Sequence, residues 1–312
     1  MISPGVHGGD GWRLAAALGV DPSAILDLSA SLNPFAPDAG EVVAKHVDAV
    51  VRYPNAAIAT RALAEAMGVD ADRLLLTNGG SEAIALVSAV LGGWVDEPEF
   101  GLHPRGGSGP RWRSDPHNPS GQLAAVDQRA GVWDEAFYPL AVGRWSAGRS
   151  GSVVVGSLTK VFACPGLRVG YVLGPTDGSE VGCELVERLR RIQPQWSLSG
   201  LAAESVPSLL EGADLKGWAG SIAEMRRLLV GMLRGGELTP EPSDANWVLV
   251  RAPGLRTALS RFGILVRDCQ SFGLPGYVRI AVPGPDGLAR LDRALAQMEF
   301  PKDAEKDVEV RY

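Results

Sequence analysis

The chain has 312 residues, 46% of them hydrophobic and 21% charged, with a net charge of −6. At roughly 150 residues per domain, that length makes two domains or one large α/β unit, and the balance is that of a globular protein rather than a disordered one. The mild acidity and the lack of a basic tract argue against nucleic acid as a partner. Apolar runs such as 84–91 are too short to cross a bilayer. The start of the chain has no basic segment followed by an apolar run, which predicts a cytoplasmic protein. Three scattered cysteines, Cys164, Cys183 and Cys269, fit neither a disulfide framework nor a zinc cluster.

In chain order, residues 1–41 have little periodic structure and read as an arm that joins a smaller domain. Residues 42–195 read as an α/β unit. Within it, apolar runs bounded by turn residues predict buried strands at 74–76, 153–155 and 169–173. Helical patterns lie at 59–67, 82–91 and 182–192. Residues 196–312 read as a smaller α+β unit, with helices at 215–233 and 288–298 and strands at 247–250, 264–266 and 277–282. In 288–298, Leu288, Leu291, Leu295 and Met298 form one apolar stripe. Segment 101–118 (GLHPRGGSGPRWRSDPHN) shows neither period and reads as an unusually long loop. The charged end of the chain (Lys302, Asp303, Glu305, Lys306, Asp307) reads as a solvated tail.

Four segments carry chemistry. In Gly156-Ser157-Leu158-Thr159-Lys160, followed by Cys164-Pro165-Gly166-Leu167-Arg168, a strand ends in a serine with a lysine and an arginine close behind. A buried lysine with a lowered pKa forms a Schiff base with an aldehyde, and Ser157 with Arg168 suits a phosphate. The structural alternative is that Lys160 reaches solvent and Arg168 joins an ion pair. In Thr77-Asn78-Gly79-Gly80-Ser81-Glu82 a glycine turn opens a helix, so backbone N–H groups and the helix dipole favour an anion. The alternative is a plain turn with Ser81 as the helix cap. In Trp133-Asp134-Glu135-Ala136-Phe137, a carboxylate at a strand end suits a protonated ring nitrogen, or else caps a helix. Asp115-Pro116-His117-Asn118-Pro119-Ser120-Gly121 is turn chemistry that also fixes an asparagine amide. No segment has the GK[ST] of a nucleotide-binding P-loop.

The order of these segments resembles the fold-type I pyridoxal-phosphate enzymes, in their histidinol-phosphate aminotransferase branch, over most of the chain. The resemblance implies an aspartate-aminotransferase-like α/β fold: a large cofactor-binding domain with a mostly parallel sheet, a small α+β domain, and a homodimer. It further implies pyridoxal 5'-phosphate held by Lys160, with Asp134 on the ring nitrogen, Asn118 on the ring hydroxyl, and Gly80, Ser81, Ser157 and Arg168 around the phosphate. Tyr53, in Arg52-Tyr53-Pro54, matches the tyrosine that reaches the partner subunit's cofactor, so the active site is shared. Arg279, in Tyr277-Val278-Arg279-Ile280-Ala281, matches the arginine that grips the substrate carboxylate.

The pattern departs from the family in three places. After Glu97-Pro98-Glu99-Phe100 the ring-stacking position falls on His103, with Phe100 as the alternative. Only 17 residues (101–117) separate Phe100 from Asn118, too few for the usual strand–helix–strand crossover of about 30 residues, so either the sheet is smaller than usual or part of the substrate cleft wall is absent. Phe137 stands where many aminotransferases carry a tyrosine.

The motifs His7-Gly8-Gly9, Leu28-Ser29-Ala30-Ser31-Leu32-Asn33-Pro34 and Arg267-Asp268-Cys269-x-Ser271-Phe272 resemble the cobalamin-pathway threonine-phosphate decarboxylases. That resemblance implies that His7 and Asn33 lie near the substrate phosphate. The expectation is therefore decarboxylation of L-threonine O-3-phosphate to (R)-1-aminopropan-2-ol O-phosphate. A histidinol-phosphate-type aminotransferase is the alternative, and a non-catalytic relative that keeps the scaffold is the third.

Overall fold

The structure is a computed structural model in which residues 7–176 and 180–298 are described, 180–183 as backbone only. The predicted tail residues 302–307 and the Cys183 side chain lie outside the described residues. Two sheets organise the chain. The larger has the order β2 (Leu74–Asn78), β7 (Val169–Leu173), β6 (Val153–Ser157), β5 (Val132–Asp134), β4 (Arg111–Ser114) and β3 (Trp94–Val95). Only β7 runs against the others, so the sheet is mostly parallel, as expected. The smaller sheet has the order β1 (Leu26–Leu28), β9 (Ile264–Asp268), β10 (Tyr277–Ala281) and β8 (Trp247–Arg251). Its strand β1 comes from the N-terminal arm and pairs parallel with β9, so the arm is built into this sheet.

Strands buried on both faces need apolar residues at every position, which is why β6 and β7 read as VVVGS and VGYVL. On one face, Trp112, Val132, Val153 and Val155 pack with Ile84 and Val87 of helix Gly79–Leu91 and with Val186 and Leu189 of helix Glu180–Ile192. On the other, Trp133, Val154, Tyr171 and Leu173 meet Leu63 of helix Ala57–Met67 and Val206 and Leu209 of helix Gly200–Glu211. Helix Leu215–Gly235 serves both cores. Leu215, Trp218 and Ile222 lie in the large-sheet core, whereas Leu229 and Leu233 lie in the core of the small sheet. Its 21 residues span about 30 Å.

The shortened sheet has a specific form. Parallel neighbours normally require a helical crossover, yet β3 passes to β4 through residues 96–110, and β4 to β5 through 115–131, with no helix in either. The sequence suggested a loop throughout 101–118, but β4 forms inside it because Trp112 and Ser114 turn inward while Arg111 and Arg113 stay half-exposed. Loop 96–110 is clamped from within by Arg105. Its Nε donates to Glu97 Oε1 (2.8 Å), Nη1 to the carbonyls of Phe100 (3.0 Å) and His103 (2.6 Å), and Nη2 to that of Glu99 (3.2 Å). Gly109 closes the loop at φ +97°, where a Cβ would lie 2.3 Å from the Leu91 carbonyl oxygen. Beneath loop 115–131, Arg149 pairs with Asp115 and with Glu135 (2.6 Å) and covers the Trp133 ring at 3.8 Å. Among the described residues no helix is long and apolar enough to cross a membrane.

Candidate active site

Ligand clefts in α/β sheets form beyond the carboxyl ends of the parallel strands. Here the ends of β2, β4, β5 and β6 deliver Gly80–Ser81, Asn118, Asp134 and Ser157–Lys160 to one cavity of about 460 Å³. The small sheet faces it with Arg267 of β9 and Arg279 of β10, and the arm closes it with His7, Ser29 and Ala30.

Lys160 is half-buried in the cavity wall, and its Nζ donates to the Ala30 carbonyl at 3.0 Å. Burial, together with the charges of Arg279 and Arg168, lowers its pKa to about 8, and the bond to Ala30 turns the amine into the cavity rather than out to bulk solvent. The helix behind β2 starts at Gly79, one turn earlier than the Ser81 cap reading, and Ser81 sits in its first turn facing the cavity. Gly79 has φ +74°, and a Cβ there would lie 2.4 Å from Arg168 Nη2, so the guanidinium packs against the turn itself. Ser157 lies across from Gly80. These groups make a cradle of backbone N–H donors, hydroxyls and a guanidinium that suits a phosphate. Thr159 Oγ1 is buried in the same cavity wall without a partner.

Asp134 lines the cavity while its Oδ1 accepts from Ala136 N (3.0 Å) and its Oδ2 from His103 Nε2 (3.0 Å). Asn118 Oδ1 accepts from Arg279 Nη1 at 2.6 Å, which leaves the Asn118 amide as a donor. Arg279 is buried over the Trp247 ring at 4.7 Å, and burial with the neighbouring Arg267 charge lowers its pKa to about 10. Arg267 and Arg279 are direct register partners on antiparallel strands. Like charges directly opposite one another are unfavourable, and the pair makes this wall of the cavity electropositive. His7 joins that wall, and burial and the Arg267 charge lower its pKa.

Two expected site residues, His103 and Asn33, lie elsewhere, and Tyr53, expected to serve a partner subunit, lies outside its own chain's cavity. His103 does not stack on the cavity. Its side chain is fully buried behind Asp134, and Phe100 and Leu102 line the cavity in its place. Asn33 does not face the cavity either: its Nδ2 donates to the Val161 carbonyl (2.9 Å), its Oδ1 accepts from Phe35 N (3.0 Å), and its own N donates to the Lys160 carbonyl. It braces the lysine segment instead. Tyr53 is 80% exposed against Trp196, outside this chain's own cavity. Arg267, Asp27 and Thr159 were not assigned from sequence. For Arg267 the signal was present, as an arginine inside an apolar strand just as in β10.

The architecture is that of the aspartate-aminotransferase-like enzymes. The histidinol-phosphate aminotransferase of Sinorhizobium meliloti superposes with a TM-score of 0.75 at 15% identity, covering 95% of this chain and 94% of that one. The family model described as aminotransferase class I and II matches residues 115–296, more than half of the chain, and the chain belongs to that family. It is 29% identical to a histidinol-phosphate aminotransferase of Jannaschia sp., over 88% of this chain and 91% of that protein. It is 28% identical to the threonine-phosphate decarboxylase of Salmonella typhimurium, over 93% and 95%.

Proposed function

We propose that the chain is a pyridoxal-phosphate-dependent aminotransferase acting on a small amine that carries a phosphate ester, of the histidinol-phosphate type. The observation that carries this reading is the Lys160 amine, set in one cavity between the phosphate-shaped cradle and the paired arginines. The cofactor fits the residues present. The packed Gly79–Arg168 turn suits its phosphate, and the unpartnered Thr159 hydroxyl offers one more donor. The S. meliloti enzyme of the same fold binds pyridoxal 5'-phosphate.

Bound through its aldehyde, the cofactor supplies an electron sink for the pair released at the substrate's α-carbon. Gly80, Ser81, Ser157 and Arg168 would hold its phosphate, Asp134 its ring nitrogen and Asn118 its ring oxygen, with Phe100 as the aromatic available for stacking. Tyr53 would complete the site from a second copy of the chain. Lys160, with a pKa of about 8, is partly uncharged near neutrality and so takes and returns a proton at the substrate's α-carbon. Arg279, fixed by Asn118 and Trp247, grips a carboxylate, while Arg267 and His7 meet the substrate's phosphate.

Curated relatives named as histidinol-phosphate aminotransferases put transamination first, reversing the order set by the N-terminal motifs. Decarboxylation of L-threonine O-3-phosphate is the second reading. It is favoured by the Salmonella relative and by the docking of the His7-Gly8-Gly9 arm, where Gly9 N donates to Ser29 Oγ at 2.9 Å. The deciding experiment gives the purified, cofactor-loaded chain each substrate in turn. Turnover of histidinol phosphate that requires 2-oxoglutarate supports transamination. Release of CO₂ from threonine phosphate without an acceptor overturns it in favour of decarboxylation. A wild-type chain with no visible absorption band after exposure to pyridoxal phosphate defeats both and leaves a non-catalytic relative.

A further inference from the structure

Behind Asp134 lies a second layer of charge that the proposed reaction does not use. His103 Nε2 donates to Asp134 Oδ2, while its Nδ1 faces Glu99 Oε2 at 3.5 Å. Glu99 is buried, and donors surround it: Ser114 N reaches Oε1 (2.9 Å), and Ser114 Oγ (2.6 Å) and Phe100 N (3.3 Å) reach Oε2. Three donors converging on one carboxyl favour its anion. A neutral imidazole protonated at Nε2 would then turn its Nδ1 lone pair toward a carboxylate oxygen, so the arrangement favours an imidazolium that hydrogen-bonds Asp134 and faces Glu99 as an ion pair, its Nδ1 making no hydrogen bond of its own. The rings of Phe100 (5.7 Å) and Trp112 (5.5 Å) enclose it.

We propose that Glu99 is a positioning residue of the active site: acting through the His103 imidazole, it fixes the Asp134 carboxylate in one orientation toward the cavity. This rests on the function proposed above, because it assigns Asp134 a partner there. Glu99 belongs to the helix-free loop that replaces the crossover, so the shortened segment carries its own support for the site. The other charged groups near the relay are Arg113 and His117, which face Glu99, and Arg105, which bonds the His103 carbonyl. Burial opposes charge on His103, but Asp134 and Glu99 outweigh it and raise its pKa to about 9. Burial likewise opposes charge on Glu99, and His103 and Ser114 hold it below the ordinary range.

The test is an NMR titration of imidazole nitrogens in the full-length chain, whose four histidines are assigned with the aid of His103→Gln. In the wild type His103 is expected to stay doubly protonated to about pH 9. Glu99→Gln should lower its midpoint by about one unit or more. Ser114→Ala removes a hydroxyl but leaves the carboxylate, and should keep the midpoint within about half a unit. In the loaded enzyme, Glu99→Gln should lower kcat about tenfold with little change in KM, and the alkaline fall of its pH profile should move down with the imidazole midpoint. If Glu99→Gln does not fold, Glu99→Asp takes its place, with a smaller downward shift expected. An unchanged His103 midpoint in the folded variant overturns the proposal, whatever happens to activity. Failure of the wild type to take up pyridoxal phosphate instead counts against the function, and leaves the titration result standing by itself.

Discussion

At the scale of single residues the site is governed by charges removed from water. Lys160 has its pKa lowered to about 8, chiefly by burial. Its neutral, nucleophilic form therefore gains population as pH rises through 8, and the rate of pyridoxal phosphate capture should rise about tenfold per unit below that point and level off above it. Stopped-flow absorbance between pH 6 and 10 checks this, and Lys160→Ala should abolish the band. His103 gives the opposite sign. Its pKa is raised from 6.5 to about 9, so its contribution to stability is full below 6.5 and lost as pH climbs through 9. The arginine pair makes a third case. Arg267→Met should cut kcat/KM for a phosphorylated substrate about 100-fold, read from steady-state kinetics with a phosphorylated and an unphosphorylated amine side by side, only the former losing rate. The meeting of Lys160, Asp134 and Ser157 at one cavity was legible in the sequence because Asp134 and Ser157 end strands and Lys160 lies in the short helix that follows. The actual places of His103 and Asn33 were not, because their partners lie 31 and 128 residues away and only the fold brings them together.

Among elements, legibility followed length and apolar periodicity. The helices at 57–67, 79–91 and 215–235 and the core strands β2, β6 and β7 carry unmistakable patterns. Helix Gly200–Glu211 is not legible in the sequence, since a proline at 207 and a run of small residues mask its stripe. Strands β3, β4 and β5 have only two to four residues each, and the RWRS of β4 looks like loop chemistry until Trp112 is seen to be wholly buried. The missing crossover was legible as a deficit of residues, but its substitute, the Arg105 clamp, was not. Because that clamp holds three carbonyls of the segment carrying Phe100 and His103, Arg105→Ala should destabilise the chain by about 1–2 kcal/mol. Hydrogen exchange should locate the loss in residues 97–105, and an even loss over the large sheet would contradict the clamp.

For the whole molecule, the exposed surface around Tyr53 matters most. Trp196 packs against this tyrosine, and Val47, Val50, Val51 and Ile58, within six residues of it along the chain, are each more than half exposed; exposed apolar residues gathered this way are of the kind that marks an interface. A homodimer in which this patch meets a second copy accounts for Tyr53 lying outside its own chain's cavity. Val51→Glu should then shift the chain toward monomer in sedimentation velocity and depress turnover in parallel. A monomeric wild type with full activity would remove Tyr53 from the site.

Helix Leu215–Gly235 has one more consequence. Since a single rod is rooted at one end among the side chains beneath the large sheet and at the other among those beneath the small one, neither half has a core it can keep while the other melts. Calorimetry should accordingly record one endotherm. Leu229→Ala, although it hollows out only the small-sheet side and costs about 2–5 kcal/mol, should move that whole peak to lower temperature rather than split it in two.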